Sequence, residues 1–268
     1  MSTRETPWPT GTPSWADLMT SDREASWAFY SDVLGWQMMD SGPEMGHYGM
    51  ASVGGSMVAG IGTPPDPAQA PPPAWITYLA TDDLDKTCVA ITSNGGQIAV
   101  PPMDVPGSGR MALAADPTGA FFGVWQGQQF IGAQRVNEPG AMVWNQAMSR
   151  DPVRAREFYA AVFGYQYTAM EGGGDFSTIN GAGPGDTIGG IGGMDDSLPA
   201  EVPAHWDTYF MVGNADATVE KATAAGGSVA VPPFDTPFGR MGAVTDPQGA
   251  TFWIMQDTSG MLVPDAAR

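Results

Sequence analysis

The chain repeats itself, and a duplicated sequence has few ways to fold other than as two copies of one module. Trp15, Asp22, Phe29, Tyr30, Gly35 and Gln37 return as Trp144, Asp151, Phe158, Tyr159, Gly164 and Gln166, displaced by a constant 129 residues (159 − 30 = 129). Gly95-Gly96 with Val100-Pro101-Pro102 returns as Gly226-Gly227 with Val231-Pro232-Pro233. Gly109-Arg110-Met111, Asp116-Pro117 and Gly119 return as Gly239-Arg240-Met241, Asp246-Pro247 and Gly249. Two domains are expected, over 10–130 and 140–258, with 127–140 as the connector; 268 residues suits a usual domain size of about 100–200.

Each half divides again. In the first, 14–19 reads as a strand, Asp22 as the N-cap of a helix ending at Gly35, and 36–40, 47–53 and 56–61 as short strands. The order then repeats as strand 75–81, helix 83–94 closed by Gly95-Gly96, and strands near 97–100, 110–115 and 120–125. The proline-rich stretch 63–73 is a stiff connector between them. The expected class is α+β: four βαβββ units, paired into two curved eight-stranded sheets, each around a cavity.

Charge removes several functions. Eleven Lys and Arg against 29 Asp and Glu give a net charge of −18, which repels phosphate backbones and anionic lipid headgroups, so neither nucleic acid nor a membrane surface is expected as a partner. The opening MSTRETPWPTGTP has no apolar core behind a basic start, and no apolar run is long enough to span a bilayer; a cytoplasmic location is the expectation. Cys88 is the single cysteine, so a disulfide framework and a Cys-rich metal site are both excluded, and Cys88 reads as a small core residue.

Three patterns carry a family resemblance. They are Asp22-(x6)-Phe29-Tyr30-(x3)-Leu34-Gly35, Asp83-(x11)-Gly95-Gly96 and Asp116-Pro117-Thr118-Gly119, with their second-half copies. The chain resembles the vicinal oxygen chelate superfamily of glyoxalases, bleomycin-resistance proteins and extradiol dioxygenases. Gly11-Thr12-Pro13-Ser14-Trp15, the Gly-Arg-Met turns and Ile131-Gly132-Ala133 through Asn137-Glu138 narrow this to actinobacterial two-module members described as glyoxalases or hydroxylases. The resemblance implies a concave sheet face that, in most such enzymes, holds a divalent metal through His, Glu or Gln. Counted from the family landmarks, the metal positions fall on Trp15, Ile76 and Gly123 in the first half and on Trp144, Asp207 and Trp253 in the second. Strands 56–61 and 187–191 add no acidic or imidazole group. A catalytic metal needs about three protein ligands, so no metal or other cofactor is expected.

Strand side chains alternate, so fixing one inward position fixes its neighbours two residues away. The expected concave set is Trp15, Asp17, Met19, Ile76, Tyr78, Phe121 and Trp125 in the first half. In the second it is Trp144, Gln146, Met148, His205, Asp207, Tyr209, Trp253 and Met255. The opposite face then carries Leu18, Leu79, Phe122 and Val124, or Phe210, Phe252 and Ile254, apolar throughout and suited to packing under a helix. Aromatic and Met-rich walls suit a flat, hydrophobic, aromatic ligand, held for sequestration, resistance or an auxiliary tailoring step, in a monomer or homodimer. The alternative is a metal-free glyoxalase-, isomerase- or hydroxylase-like enzyme using Asp17 with Tyr78, or His205 with Asp207 and Tyr209, as acid–base groups. Against it, His205 follows Pro203-Ala204, where a strand begins at the solvent. Arg110 and Arg240 either clamp a ligand carboxylate or tie down the neighbouring acidic turns. His47 lies in a glycine-rich, exposed stretch. The glycine-rich 189–193 run has no helix after it and does not read as a phosphate loop.

Overall fold

The computed structural model describes residues 3–64, 66, 71–181, 187–195 and 198–260; residues 65 and 67–70 of the proline-rich connector lie outside that description. The first half runs β1 (Pro13–Met19), α1 (Arg23–Leu34), β2 (Gln37–Asp40), β3 (Gly49–Val53), β4 (Ser56–Gly62), β5 (Ala74–Ala80), α2 (Leu84–Ser93), β6 (Gln97–Val105), β7 (Gly109–Ala115) and β8 (Phe121–Gly127). The second runs β9 (Met142–Ser149), α3 (Pro152–Phe163), β10 (Gln166–Ala169), β11 (Phe176–Asn180), β12 (Thr187–Gly193), β13 (His205–Met211), α4 (Ala215–Ala224), β14 (Ser228–Thr236), β15 (Gly239–Thr245) and β16 (Thr251–Gln256). This is βαβββ four times over.

The helices begin where side-chain oxygens satisfy their free N–H groups. Asp22, Asp83, Asp151 and Asn214 accept from the amides of Ala25, Lys86, Arg154 and Ala217. Each such cap is worth about 1 kcal/mol. Gly35 and Gly164 end α1 and α3 in the left-handed region, at φ 74° and 72°.

The strands form two eight-stranded sheets, ordered β2-β3-β4-β1-β5-β8-β7-β6 and β10-β11-β12-β9-β13-β16-β15-β14. Antiparallel pairing of β1 with β5, and of β9 with β13, joins two units at the centre of each sheet. One strand outran expectation. β6 continues past Val100 through Pro101-Pro102 to Val105. Proline cannot donate to a ladder, but β6 is an edge strand, and its register shifts between Val100 and Met103 so that the pairing resumes beyond the prolines.

The two sheets lie back to back. Thr77 on β5 donates to Asn145 on β9 at 3.0 Å and shares a hydrogen bond with Thr208 on β13 at 3.0 Å. Leu18, Leu79, Phe122, Phe210 and Ile254 on these backs are fully buried. The helices cross between modules: Phe29 and Tyr30 of α1 pack on Phe252 of β16, and Phe158 and Tyr159 of α3 pack on Phe122 of β8. With the backs and helices forming the core, the opposite, concave faces are left for function. Among the described residues no helix is long and apolar enough to cross a membrane.

Candidate functional site

On the first concave face, Trp15 pairs with Tyr78, Asp17 with Ile76 and Met19 with Ala74, while Gly123 lies beside Tyr78. Asp17 is only 4% exposed. Its Oδ2 accepts from the hydroxyls of Tyr48 and Tyr78, both at 3.2 Å, and Trp15 Nε1 donates to the Tyr48 oxygen at 3.1 Å. Asp17 Oδ1 is buried and has no partner among the described residues. Burial pushes the Asp17 carboxyl up to about 7, against the downward pull of the two phenols.

Side chains fill this hollow, where the sequence pointed to a cavity. Phe130, from the connector, stands edge-on to Trp15 at 4.9 Å, and its carbonyl accepts from Trp125 Nε1 at 3.0 Å. Tyr48 lies over Gly60 and Gly62: a Cβ on Gly60 would sit 1.7 Å from the Tyr48 hydroxyl. Gly123 makes the same room for Tyr78, where a Cβ would come within 2.1 Å of the ring. Met19 and Ile76 are half-buried on this face, whereas Phe121 is 45% exposed and contributes little to any enclosure. Tyr48 was absent from the sequence reading. The signal for it was there in Gly60 and Gly62, two glycines on one face of a strand, which mark a close approach.

The second concave face has the same register and different chemistry. Trp144 pairs with Tyr209, Gln146 with Asp207 and Met148 with His205. Gln146 thus replaces Asp17, Asp207 replaces Ile76, and Phe176, packed over Gly190 and Gly192, replaces Tyr48. A polar string crosses the face. Trp144 Nε1 donates to Gln146 Oε1 at 3.2 Å, Gln146 Nε2 donates to Asp207 Oδ2 at 3.2 Å, and His205 Nε2 lies 3.4 Å from Asp207 Oδ1. His205 Nδ1 faces the Pro203 carbonyl at 2.8 Å and must donate to it, so the Nε2 facing a carboxylate needs a second proton. Burial pulls the imidazole down, but Asp207 and the Pro203 carbonyl outweigh it, and the net shift is upward. Tyr209 and Trp253 stack nearly parallel at 5.1 Å, with Phe234 edge-on to the indole. Trp144, Gln146, Met148, His205, Asp207 and Trp253 are all half-buried, while Tyr209 and Met255 are buried. Counting from Met255, the equivalent of Trp125, the position matching Phe130 is Gly260, which has no side chain to fill the face.

Two small clefts lie at the margins of these faces, one of about 130 Å³ bounded by Trp8, Asp82, Trp125 and Ile131, the other of about 110 Å³ bounded by Trp8, Val136, Trp144 and Ile188. Neither reaches Asp17 or Asp207. Arg110 binds Asp85 and Asp104, and Arg240 binds Asp216 and Asp235, so both arginines pin a helix start to a strand hairpin. His47 pairs with Asp40 at the surface. Of the family's metal positions, Trp15, Ile76, Gly123, Trp144 and Trp253 bring no donor that a hard cation accepts, and Asp207 stands alone. Among the described residues no three His, Cys, Asp or Glu side chains converge. This donor set does not fit a divalent ion.

Paired βαβββ units that curve into one eight-stranded sheet per half define the fold class. The chain belongs to the glyoxalase/bleomycin resistance protein/dioxygenase superfamily, whose sequence model matches residues 12–124 and 136–254. It is 40% identical over 253 residues to CFP32 of Mycobacterium tuberculosis, provisionally named a glyoxylase, covering 92% of this chain and 95% of that protein. It is 34% identical over 265 residues to the anthracycline biosynthesis protein DnrV of Streptomyces peucetius, covering 93% and 94%. Among solved structures, the Mn(II)-bound glyoxalase of Novosphingobium aromaticivorans superposes with a TM-score of 0.65 at 16% identity, over 95% of this chain and 84% of that one. The 2,3-dioxygenase LapB of Pseudomonas sp. KL28 superposes at 0.61 with 13% identity, over 93% of each chain.

Proposed function

We propose that the protein binds a flat, hydrophobic, aromatic molecule on its second concave face, without a divalent metal, as a cytoplasmic sequestering or auxiliary tailoring protein. The observation that carries this is the half-exposed wall of Trp144, Met148 and Trp253, backed by the Tyr209–Trp253 stack and crossed by one polar string. The partly exposed indoles of Trp144 and Trp253 offer apolar surface to a planar ring, and Gln146 supplies an orienting hydrogen bond. The similarity to DnrV supports a polycyclic aromatic ligand, since an anthracycline is a planar polyketide.

Titration with daunorubicin, followed by tryptophan fluorescence, tests this. Saturable quenching is expected, with at least a ten-fold loss of affinity in Trp253→Leu and less than a two-fold change in His205→Ala and Asp207→Asn. The reading fails if quenching does not saturate, or if elemental analysis of freshly purified protein finds one manganese, iron, zinc or nickel per chain.

A second reading follows from the His205–Asp207 pair. An imidazolium held by a carboxylate beside an aromatic wall can deliver and recover a proton alpha to a carbonyl. An enzyme of this kind would lose most turnover in His205→Ala and keep its affinity.

A further inference from the structure

We propose that the first concave face is a separate binding site for a small, neutral carbonyl compound, held by a hydrogen bond to the buried, unpartnered Oδ1 of Asp17. It is independent of the ligand assigned to the second face.

Proton counting assigns the donor. Tyr48 accepts from Trp15 Nε1, so its own hydrogen is free for Asp17 Oδ2, and Tyr78 gives its hydrogen to the same oxygen. With Oδ2 taken, the carboxyl proton belongs on Oδ1. The groups facing this carboxyl are the two phenols and the indole, with glycine floor at Gly60 on β4 and Gly123 on β8, and among the described residues no cation contributes to its environment. Burial accordingly holds the carboxyl in its acid form up to a pH of about 7. The Oδ1 hydroxyl then has no acceptor among the described residues, although it is buried. An unpaired buried donor is costly, and folded proteins seldom carry one without a use.

The surroundings define what would accept that hydrogen bond. Met50 lies opposite Gly60, Met111 lies opposite Trp125, and both share this face with Met19 and Ile76, all four half-buried. An apolar, adaptable wall with one buried donor fits an apolar molecule with one acceptor: a ketone, an aldehyde or a quinone. A neutral acid donating to a carbonyl oxygen performs, by hydrogen bonding, the polarisation that a cation performs as a Lewis acid. Half-buried Tyr48 fills the notch over Gly60 and Gly62, so admitting the ligand displaces that ring, and Tyr78 alone then keeps Oδ2 occupied.

Acetophenone and ethylbenzene share a ring and differ at the carbonyl, so the pair isolates the hydrogen bond. At pH 5.5 the protein is expected to bind acetophenone at least ten-fold more tightly than ethylbenzene, and to shift its carbonyl infrared band to lower wavenumber. Raising the pH to 8.5 should weaken acetophenone at least ten-fold and leave ethylbenzene unchanged, because an ionised Asp17 cannot donate. Asp17→Leu should abolish the band shift, and Trp253→Leu, which removes the second-face wall, should leave it intact. Equal binding of the two probes, an affinity indifferent to pH, a band shift that survives Asp17→Leu, or its loss in Trp253→Leu would each overturn the proposal. The infrared and pH measurements on the unaltered protein decide the matter even if Asp17→Leu fails to fold.

Discussion

A carboxyl whose folded pKa is raised to about 7 makes stability depend on pH, and the sign follows from proton binding. Below the unfolded value, near 3.8, Asp17 is protonated in both states and its ionisation makes no difference between them. As pH rises toward 7 the unfolded chain ionises while the folded one holds its proton, so stability is progressively lost, by up to about 4 kcal/mol over some three pKa units. Asp17→Asn removes this dependence. The variant should unfold at a higher denaturant concentration than the parent at pH 8, and the difference should vanish near pH 4; a parent whose midpoint is flat between pH 4 and 7 contradicts the assignment. Asp17 was legible in the sequence because alternation fixed its face, and so was the presence of Tyr78 on that same face. Its second phenol was not. Tyr48 falls inside the expected strand 47–53, although β3 itself begins at Gly49, and no landmark fixes which face of that strand is concave. The union of His205 with Asp207 on one face followed from two-residue spacing; their joint proton demand needed the Pro203 carbonyl, which only coordinates supply.

At the scale of the strand, glycines set where an aromatic ring can lie. Gly60 and Gly190 sit at matching places on β4 and β12, under Tyr48 and Phe176. Gly60→Ala would drive a methyl group to 1.7 Å from the Tyr48 hydroxyl, so the ring must leave and its bonds to Trp15 and Asp17 must break. A loss of about 1–3 kcal/mol is expected, as for other overpacked sites. Tyr48→Ala in the same chain should recover part of it, because the clash then has no partner; a double-mutant cycle by urea unfolding reads the coupling, and additive losses would show that Tyr48 does not occupy the notch. Helix starts and ends were readable from Asp22, Asp151, Gly35 and Gly164, since caps act locally. The length of β6 was not. Whether a Pro-Pro pair stops a strand depends on whether that strand is an edge, and that is a property of the sheet.

The repeated Phe-Tyr and Asp-Pro motifs acquire their meaning only across the whole molecule. Tyr30 of α1 donates to Asp246 at 3.0 Å and accepts from Trp75 Nε1 at 3.0 Å, so a first-half helix is fastened to a second-half turn. Tyr159 accepts from Trp206 Nε1 at 2.8 Å in the mirrored arrangement, with Asp116 of the first half beside it. Each half therefore buries its helix against the other, and neither owns a complete core: Phe29 and Tyr30 would lose Phe252, and Phe158 and Tyr159 would lose Phe122. Removing one hydroxyl from this buried network, in Tyr30→Phe, strands the Trp75 N–H and the Asp246 carboxyl and should cost about 1–3 kcal/mol. Cutting the chain between Gln134 and Arg135 tests the larger claim. Each fragment alone should give the weak, uncooperative melting of a chain without a core, or associate with its own copies through the exposed sheet back. Mixed in equal amounts, the two should recover a single cooperative transition by circular dichroism. Two fragments that each melt cooperatively as monomers would mean that the modules fold independently, and that the crossed helices are a contact between finished domains.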